Sequence, residues 1–272
     1  MNDFFERVRK AFERNESCLC VGLDPVIERI PDSIRNSEEP LFDFLAPIID
    51  TTAELVCAYK PNIAFYEAEG SRGVEQLRRI IKHIRSLDDD IPIILDAKRG
   101  DIGNTARAYA RAVFDDMCVD ATTVNPYMGG DTLEPFLDRN ERGIFILCLT
   151  SNPGYTDFEN LIAEESPVFV NIARKASGWN AKGNIGLVVG ATHPDDAEKV
   201  RDAAPELPFL MPGIGAQGGD PARIMKIGFT ASGFPPIVNS SRSILYANDG
   251  ENYAEASRQA ALKTRDNLNR FI

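Results

Sequence analysis

One short segment of the 272-residue chain, LDAKRGDIGNT, places two carboxylates and an amine close together, at Asp96, Lys98 and Asp101. Side chains two apart on a strand point to the same side, so Asp96 and Lys98 are expected to share one face. Nearby carboxylates favour the charged form of a lysine, which then suits proton donation or the anchoring of an anion. A Schiff-base role needs a neutral amine and is disfavoured. A structural ion-pair network is the alternative, although Lys60, a cation at a neighbouring predicted strand end, favours chemistry.

A second segment, PGIGAQGGD at residues 212–220, could hold an anion. Glycines allow backbone N–H groups to approach a ligand closely, and a helix is expected to begin at Pro221. Gln217 adds an amide donor, and Arg242, in the later segment NSSRS, carries a planar guanidinium that can bind a phosphate through two hydrogen bonds. Together the two segments predict a phosphate site, and a glycine-rich turn without a ligand is the alternative.

These residues can act together only if the fold brings them close in space. The chain alternates regularly between apolar runs and longer polar stretches. Short continuous apolar runs are typical of parallel strands that are covered by helices. Eight runs are predicted to be strands: Cys18–Leu23, Leu55–Tyr59, Ile91–Leu95, Ala121–Val124, Ile144–Leu149, Ile185–Val189, Phe209–Met211 and Pro236–Val238.

The stretches between the runs have helical periodicity. Four of them are predicted as helices: Val74–Leu87, Thr105–Met117, Pro221–Ile227 and Ala254–Leu268. Alternating strands and helices, with eight strands and no linker, predict the α/β class and a single (β/α)8 TIM barrel over residues 1–272. A doubly wound sheet is the alternative, but the dinucleotide-binding glycine pattern is absent after the first strand. The long segment 157–179 is expected to carry an extra helix.

In such a barrel, catalytic residues lie in the loops that follow the carboxyl ends of the strands. Polar residues directly after the apolar runs are therefore candidate site residues, because a charge beside an apolar strand is costly unless it is paired or functional. In chain order they are Asp24, Lys60, Asp96, Lys98, Asp101, Asn125, Thr150, Ser151, Asn152, Thr192 and His193, followed by the segments that contain Gln217 and Arg242.

Composition excludes several classes of function. Lys and Arg number 30 against 41 Asp and Glu, and the resulting charge of −11 argues against nucleic-acid or anionic-membrane partners. The longest apolar run is too short to span a bilayer and no signal peptide is visible, so a cytoplasmic location is expected. Five cysteines without a CxxC pair predict reduced thiols. The two histidines, His83 and His193, fit neither a metal site nor a Ser–His–Asp triad.

These motifs resemble those of one enzyme family. The segment DAKRGDI at residues 96–102 resembles the Asp-x-Lys-x-x-Asp-Ile motif of the orotidine 5′-phosphate decarboxylases, and residues 212–219 resemble that family's phosphate loop. The order from Asp24 through Lys60 to Arg242 agrees as well, and the resemblance spans roughly residues 18–247. The segment AYKPN and the long insert after the fifth strand resemble the longer bacterial subfamily.

The resemblance implies the conversion of orotidine 5′-monophosphate to uridine 5′-monophosphate and CO₂, without a metal or an organic cofactor. Lys98 would be the general acid that protonates C6 as the carboxylate leaves, and Asp96 would lie beside that carboxylate. Lys60 and Asp24 would hold the ribose hydroxyls and complete an array of charges.

The resemblance also implies how the rest of the nucleotide is bound. Ser151 would contact the pyrimidine, and Gln217 and Arg242 would hold the phosphate with the backbone near Gly219 and Ser241. At Ser241 the chain departs from relatives that often have glycine before the arginine, which weakens the expected backbone contact there.

A homodimer with shared sites is implied as well. In the family, the residues at the positions of Asp101, Ile102 and Thr105 reach the site of the neighbouring subunit. The partners implied are therefore the nucleotide substrate and a second copy of the chain, with no nucleic acid and no membrane.

Two rival functions remain at this point. A sugar-phosphate decarboxylase or hexulose-phosphate synthase of the same superfamily would use the same motif with Mg²⁺ and an acidic residue at the end of the second strand. Lys60 occupies that position and disfavours a divalent cation. A non-catalytic barrel that binds a phosphorylated ligand would need only the last two strand ends.

Overall fold

Eight parallel strands form a barrel in the computed structural model, which describes residues 2–213 and 221–272. The strands are β1 (Leu19–Leu23), β2 (Ala58–Pro61), β3 (Ile94–Arg99), β4 (Ala121–Val124), β5 (Gly143–Leu149), β6 (Ile185–Val189), β7 (Phe209–Pro212) and β8 (Ile237–Ser240). Their order is β2-β1-β8-β7-β6-β5-β4-β3. Isolated bridges Tyr59–Ile93 and Asn62–Asp96 join β2 to β3 and close the ring, which confirms the predicted TIM barrel.

Helices surround this barrel and connect its strands. Within the described ranges they are α1 (Asp3–Asn15), α2 (Asp32–Arg35), α3 (Pro40–Thr52), α4 (Ala64–Glu67), α5 (Gly70–Leu87), α6 (Gly103–Arg111), α7 (Glu134–Leu137), α8 (Val168–Trp179), α9 (Pro194–Ala203), α10 (Pro221–Gly228), α11 (Arg242–Leu245) and α12 (Tyr253–Asn269). A π-helical segment, Ala112–Asp116, extends α6. The four predicted helices are therefore confirmed as α5, α6 with its extension, α10 and α12.

The insert after β5 differs from the expectation of an extra helix. A 3₁₀ turn at Pro153–Asp157 is followed by a small hairpin, Ile162–Ala163 paired with Ser166–Pro167, and then by α8 alone. The connection therefore contains the single helix that a barrel requires, and its additional length forms the turn and the hairpin.

The strand bounds are shifted where a strand ends in polar residues. β2 extends to Lys60 and Pro61, β3 to Arg99, and β8 to Ser240, beyond the last apolar residue of each predicted run. Apolar runs mark the buried middle of a strand, whereas its carboxyl end continues into the barrel mouth with polar side chains. Asp96 and Lys98 therefore lie within β3 rather than after it.

The core consists of a barrel interior and a shell between the strands and the outer helices. The interior is closed at the amino ends of the strands by Phe4 and Phe5 of α1, which contact Phe145 at ring-centroid distances of 5.8 Å. Gly143 makes this closure possible, because a Cβ there would lie 2.2 Å from the Phe4 ring. The amphipathic N-terminal segment thus seals the end of the barrel opposite the strand carboxyl ends.

A buried carboxylate ties α1 to the strands at this amino end. Asp120 Oδ1 accepts from Arg7 at 2.6 Å, and Asp120 Oδ2 accepts from Arg85 at 2.6 Å and from the Ile93 backbone N–H at 2.8 Å. The Asp120 side chain is 4% exposed, and Arg142 is a third cation, 3.8 Å away. One buried carboxylate is therefore shared by three guanidinium groups.

Replacing Asp120 by alanine is expected to lower the free energy of unfolding by about 2–3 kcal/mol, because Arg7 and Arg85 lose their counter-charge. This is below the full cost of breaking a buried pair, since both arginines are partly exposed. Urea unfolding followed by circular dichroism measures the change. Asp138→Ala, which breaks an exposed pair with Lys182, is the control and should cost about 0.5 kcal/mol. Equal effects of the two substitutions would contradict the prediction.

Candidate active site

The site begins with a paired lysine and aspartate at the end of β3. Lys98 Nζ donates to both Asp96 carboxylate oxygens, at 2.7 Å each. The Lys98 side chain is 49% exposed, whereas that of Asp96 is 12% exposed. The ammonium group therefore sits at the opening of the barrel on a buried carboxylate, where it can reach a bound molecule.

A second lysine extends the pair into an array of alternating charges. Lys60 Nζ lies 3.3 Å from Asp96 Oδ2 and 4.0 Å from Asp24 Oδ1. The Lys60 side chain is 5% exposed, so its charge is almost fully removed from water. The charges of Asp24, Lys60, Asp96 and Lys98 therefore alternate in sign across the ends of three adjacent strands.

The charges in this array stabilise one another. Burial lowers the pKa of Lys60, but the carboxylates of Asp24 and Asp96 outweigh burial, and the net pKa lies above its ordinary value. Burial raises the pKa of Asp96, but Lys60 and Lys98 outweigh it and lower that pKa to about 2. Both groups consequently stay charged at neutral pH, and the array presents fixed charges to a ligand.

A cavity of about 400 Å³ opens beside the array, between the ends of β1, β7 and β8. Asp24 belongs to both, since it lines the cavity and contacts Lys60. Gly22 permits β1 to approach the end of β8, because a Cβ there would lie 2.7 Å from Ser241 Cβ. The cavity is lined by Asp24, Val26, Phe65, Ser151, Pro212, Gly213, Asn239, Ser240, Ser241, Arg242 and Ser243.

Three buried polar atoms around this cavity lack a hydrogen-bond partner among the described residues: Asp24 Oδ1, Asn239 Oδ1 and Ser241 Oγ. Burying such atoms without a partner is costly, so each of them is expected to form a hydrogen bond with a ligand or a water molecule. Ser241 and Arg242 are predicted binding residues, and the structure places both at this cavity. The unpaired atoms indicate that the cavity is built to bind a polar molecule.

Ser151 lines the same cavity from the loop after β5. Its carbonyl accepts from Thr192 Oγ1 at 3.1 Å, and the preceding Thr150 donates to Glu159 through its N–H at 2.8 Å and its hydroxyl at 2.6 Å. These bonds anchor the loop on two sides. The Ser151 side chain is therefore held at the cavity edge.

The structure does not bring Asp101 into the array of its own chain. Asp101 Oδ1 accepts from the Ile102 backbone N–H at 2.7 Å, and within residues 2–213 and 221–272 it forms no ion pair with Lys98. The Ile102 side chain is 61% exposed, and Thr105 is exposed on α6. Asp101 itself is half-buried, and the three predicted residues do not join the charge array of their own chain within the described ranges.

Two predicted phosphate ligands, Gln217 and Gly219, lie outside the described residues, as does most of the glycine-rich segment. Its first residues, Pro212 and Gly213, line the cavity. Of the residues predicted to bind the phosphate, the structure therefore describes Ser241 and Arg242, which line the cavity at the end of β8.

Two polar residues of the site are not among the specific binding residues predicted from the sequence. Asn239 lies in the NSSRS segment, but only the structure shows that it lines the cavity and that its side-chain oxygen is buried without a partner. Thr123 is hidden inside an apolar run, and only the three-dimensional pairing of β3 with β4 reveals its contact with Asp96. A polar residue within an otherwise apolar strand is the one sequence signal that could have found it.

A larger cavity of about 670 Å³ lies at the amino ends of the strands. Each arginine that lines it is already paired with a carboxylate: Arg7, Arg85 and Arg142 with Asp120, and Arg78 with Asp116. The smaller cavity at the barrel mouth is the better site, because it combines unpaired polar atoms with the charge array.

Metal-binding clusters and membrane helices are not found in the described chain. No group of three or more His, Cys, Asp or Glu side chains suited to a metal ion occurs within residues 2–213 and 221–272. Over those same residues, no helix has the length and apolar character needed to cross a membrane.

The barrel, the lysine–aspartate array and the adjoining polar cavity define a TIM-barrel enzyme that acts on a small anionic substrate at its strand carboxyl ends. Residues 17–257 match the model of the orotidine 5'-phosphate decarboxylase / HUMPS family. The chain belongs to this family.

Similar proteins cover the whole chain. It is 49% identical over 271 residues to an orotidine 5'-phosphate decarboxylase of Paracidovorax citrulli, with 98% of each chain covered. It is also 49% identical to one of Roseiflexus castenholzii, covering 98% of this chain and 97% of the relative. The solved structure of Leishmania donovani OMP decarboxylase superposes with a TM-score of 0.85 at 36% identity, covering 99% of this chain and 98% of that one.

Proposed function

We propose that the protein decarboxylates orotidine 5′-monophosphate to uridine 5′-monophosphate and CO₂. The observation that carries this function is the Lys98 ammonium, held by Asp96 at the barrel mouth beside a polar cavity. Membership of the family, with relatives of that name covering nearly the full chain, supports the same reaction.

The chemistry follows from the charges that the array presents. The bond between C6 and the carboxylate breaks, CO₂ leaves, and the electron pair stays on C6 as a carbanion with little delocalisation. A preorganised cation stabilises such a carbanion most in a site that excludes water. Lys98 supplies that charge and then donates a proton from Nζ to C6, after which solvent reprotonates the amine. Asp96 holds the Lys98 ammonium through both carboxylate oxygens, and Lys60 binds Asp96 in turn.

The remaining groups bind the parts of the nucleotide that do not react. We assign the phosphate to Arg242 and Gln217, helped by the backbone near Ser241 and Gly219; Gln217 and Gly219 lie outside the described residues. Asp24 and Lys60 take the ribose hydroxyls. Binding energy from these parts can be used at the reacting carbon.

Ser151 is assigned to the pyrimidine. Its anchored loop at the cavity edge supports that role. The substrate is an anion and the chain has a charge of −11, so attraction must come from local cations rather than from the overall field. Lys60, Lys98 and Arg242 supply them.

A homodimer with shared sites forms part of this proposal. Asp101, Ile102 and Thr105 do not join the site of their own chain, and they would complete that of a second copy. Exposed apolar side chains in the segments that follow β3 and β4 support an interface there: Ile102, Tyr127 and Met128 are 61%, 90% and 43% exposed.

We also propose that residues 1–272 act as one catalytic unit in the cytoplasm. The family match and the relatives' coverage support one unit. All five cysteines are unpaired thiols, four of them buried, which fits a reducing compartment.

Adding orotidine 5′-monophosphate to the purified protein, with no metal supplied, is expected to give an immediate change in ultraviolet absorbance as the pyrimidine loses its C6 carboxylate. The initial rate should be the same with and without EDTA, because Lys60 stands where a divalent cation would need a carboxylate. Loss of the rate with EDTA and its return with Mg²⁺ would favour the metal-dependent rival. Binding of uridine 5′-monophosphate without any turnover would favour a non-catalytic phospho-ligand barrel.

A further inference from the structure

The pairing of β3 with β4 is irregular at the residues that carry the chemistry. Leu95 pairs with Thr122 and Arg99 pairs with Val124, so the three residues 96–98 face Thr123 alone. Lys98 has a φ of 47°, which lies in the left-handed region that a lysine rarely adopts. Strain of this kind persists only where the surrounding structure fixes it.

The Thr123 side chain provides the contacts that the regular ladder lacks here. Its Oγ1 accepts from the Lys98 backbone N–H at 2.9 Å and donates to Asp96 Oδ1 at 2.8 Å. Thr123 is 1% exposed, so water does not compete for these bonds. One hydroxyl therefore holds both the backbone of Lys98 and the carboxylate to which the Lys98 ammonium is bound.

We propose that Thr123 is a positioning residue for the decarboxylation, an inference that rests on the proposed function. It keeps Lys98 in its left-handed conformation and orients the Asp96 carboxylate, so that Nζ points into the mouth before substrate binds. Within the described residues, the contacts that hold Lys98 Nζ come from Asp96. A rotation of either residue would therefore move the proton donor away from C6.

The neighbouring Thr122 offers a matched control. It is also a fully buried threonine on β4, and its hydroxyl also bonds to β3, donating to the Leu95 carbonyl at 2.9 Å. This bond lies within the regular part of the ladder and touches neither Asp96 nor Lys98. Removing it should weaken the fold as much as removing the Thr123 hydroxyl does, without changing the position of the proton donor.

The test compares Thr123→Val, Thr123→Ser and Thr122→Val in steady-state kinetics and in crystal structures. Thr123→Val is expected to lower kcat by about 100-fold with little change in KM, since small misplacements of reacting groups have effects of that size. Thr123→Ser keeps the hydroxyl and should restore most of the turnover. Thr122→Val should keep a kcat close to that of the wild type. The crystal structure of Thr123→Val should show Lys98 outside the left-handed region or separated from Asp96.

Several results would overturn the proposal. They are an unchanged kcat in Thr123→Val, an equal loss in Thr122→Val, and a failure of Thr123→Ser to restore turnover. If Thr123→Val does not fold, Thr123→Cys replaces it, since a thiol is only a weak donor and acceptor. If the wild type itself does not turn over the nucleotide, the proposed function fails. The position of Lys98 in the variant crystals then still decides whether Thr123 positions it.

Discussion

Substituting Lys98 by alanine is expected to lower kcat for orotidine 5′-monophosphate by at least about 10⁴-fold, because one side chain supplies both the proton and the nearest positive charge. Binding of uridine 5′-monophosphate should change little, since the phosphate is held at the β8 end by other residues. Single-turnover decarboxylation and a direct titration with the product measure the two effects separately. The expected pattern is a loss of chemistry with retained binding.

The control is Lys182→Ala. Lys182 is 40% exposed and its Nζ lies 2.7 Å from Asp138, which closely matches the exposure and pairing of Lys98, but it lies away from the barrel mouth. This variant should turn over like the wild type. Retained turnover in Lys98→Ala would refute the general-acid role, and a loss of product binding as large as the loss of rate would show that Lys98 acts in binding.

The barrel could be predicted from the sequence because the burial of its strands imposes a recognisable pattern of apolar residues. Both faces of each strand are covered, so the middle of the strand must be apolar, and eight such runs alternate with helical stretches. The same reasoning located Asp24, Lys60, Asp96 and Lys98, since a charged side chain at the end of an apolar run is costly unless it is paired or functional. The structure brings these four together at the mouth.

The sequence was less informative where local geometry departs from the regular strand. Alternation predicts that Asp96 and Lys98 share a face, and they do meet, but through a register shift and a left-handed Lys98 rather than through a regular strand. The hydroxyl of Thr123 that fixes this geometry lies 25 residues away along the chain. Its role depends on strand pairing, which residue types and spacing do not encode locally.

Residues that are proposed to act in a second copy of the chain cannot be recognised from local sequence patterns either. Asp101 is near Lys98 in sequence, and spacing alone would place it in the same array. The structure instead pairs its carboxylate with the next backbone N–H and leaves it outside that array. Only the family resemblance gives this residue a role, and that role requires a partner subunit.

Mixing Lys98→Ala with Asp101→Ala protein is expected to restore activity that neither variant has alone. In a two-fold symmetric dimer, each site takes Lys98 from one chain and Asp101 from the other. A hybrid dimer then has one site with both defects and one intact site. After random exchange of subunits at equal concentrations, half of the dimers are hybrids, so the mixture should reach about a quarter of the wild-type rate per chain.

The matched control mixes Lys98→Ala with the double variant Lys98→Ala/Asp101→Ala. These hybrids lack Lys98 in both sites and should stay inactive, although their subunits exchange in the same way. Exchange is measured independently by labelling the two proteins and following energy transfer between the labels. If exchange occurs and the first mixture gains no activity, then Asp101 does not act across the interface. The exposure of Ile102 and Thr105, and the position of Asp101 outside the charge array of its own chain, would then not reflect a shared active site.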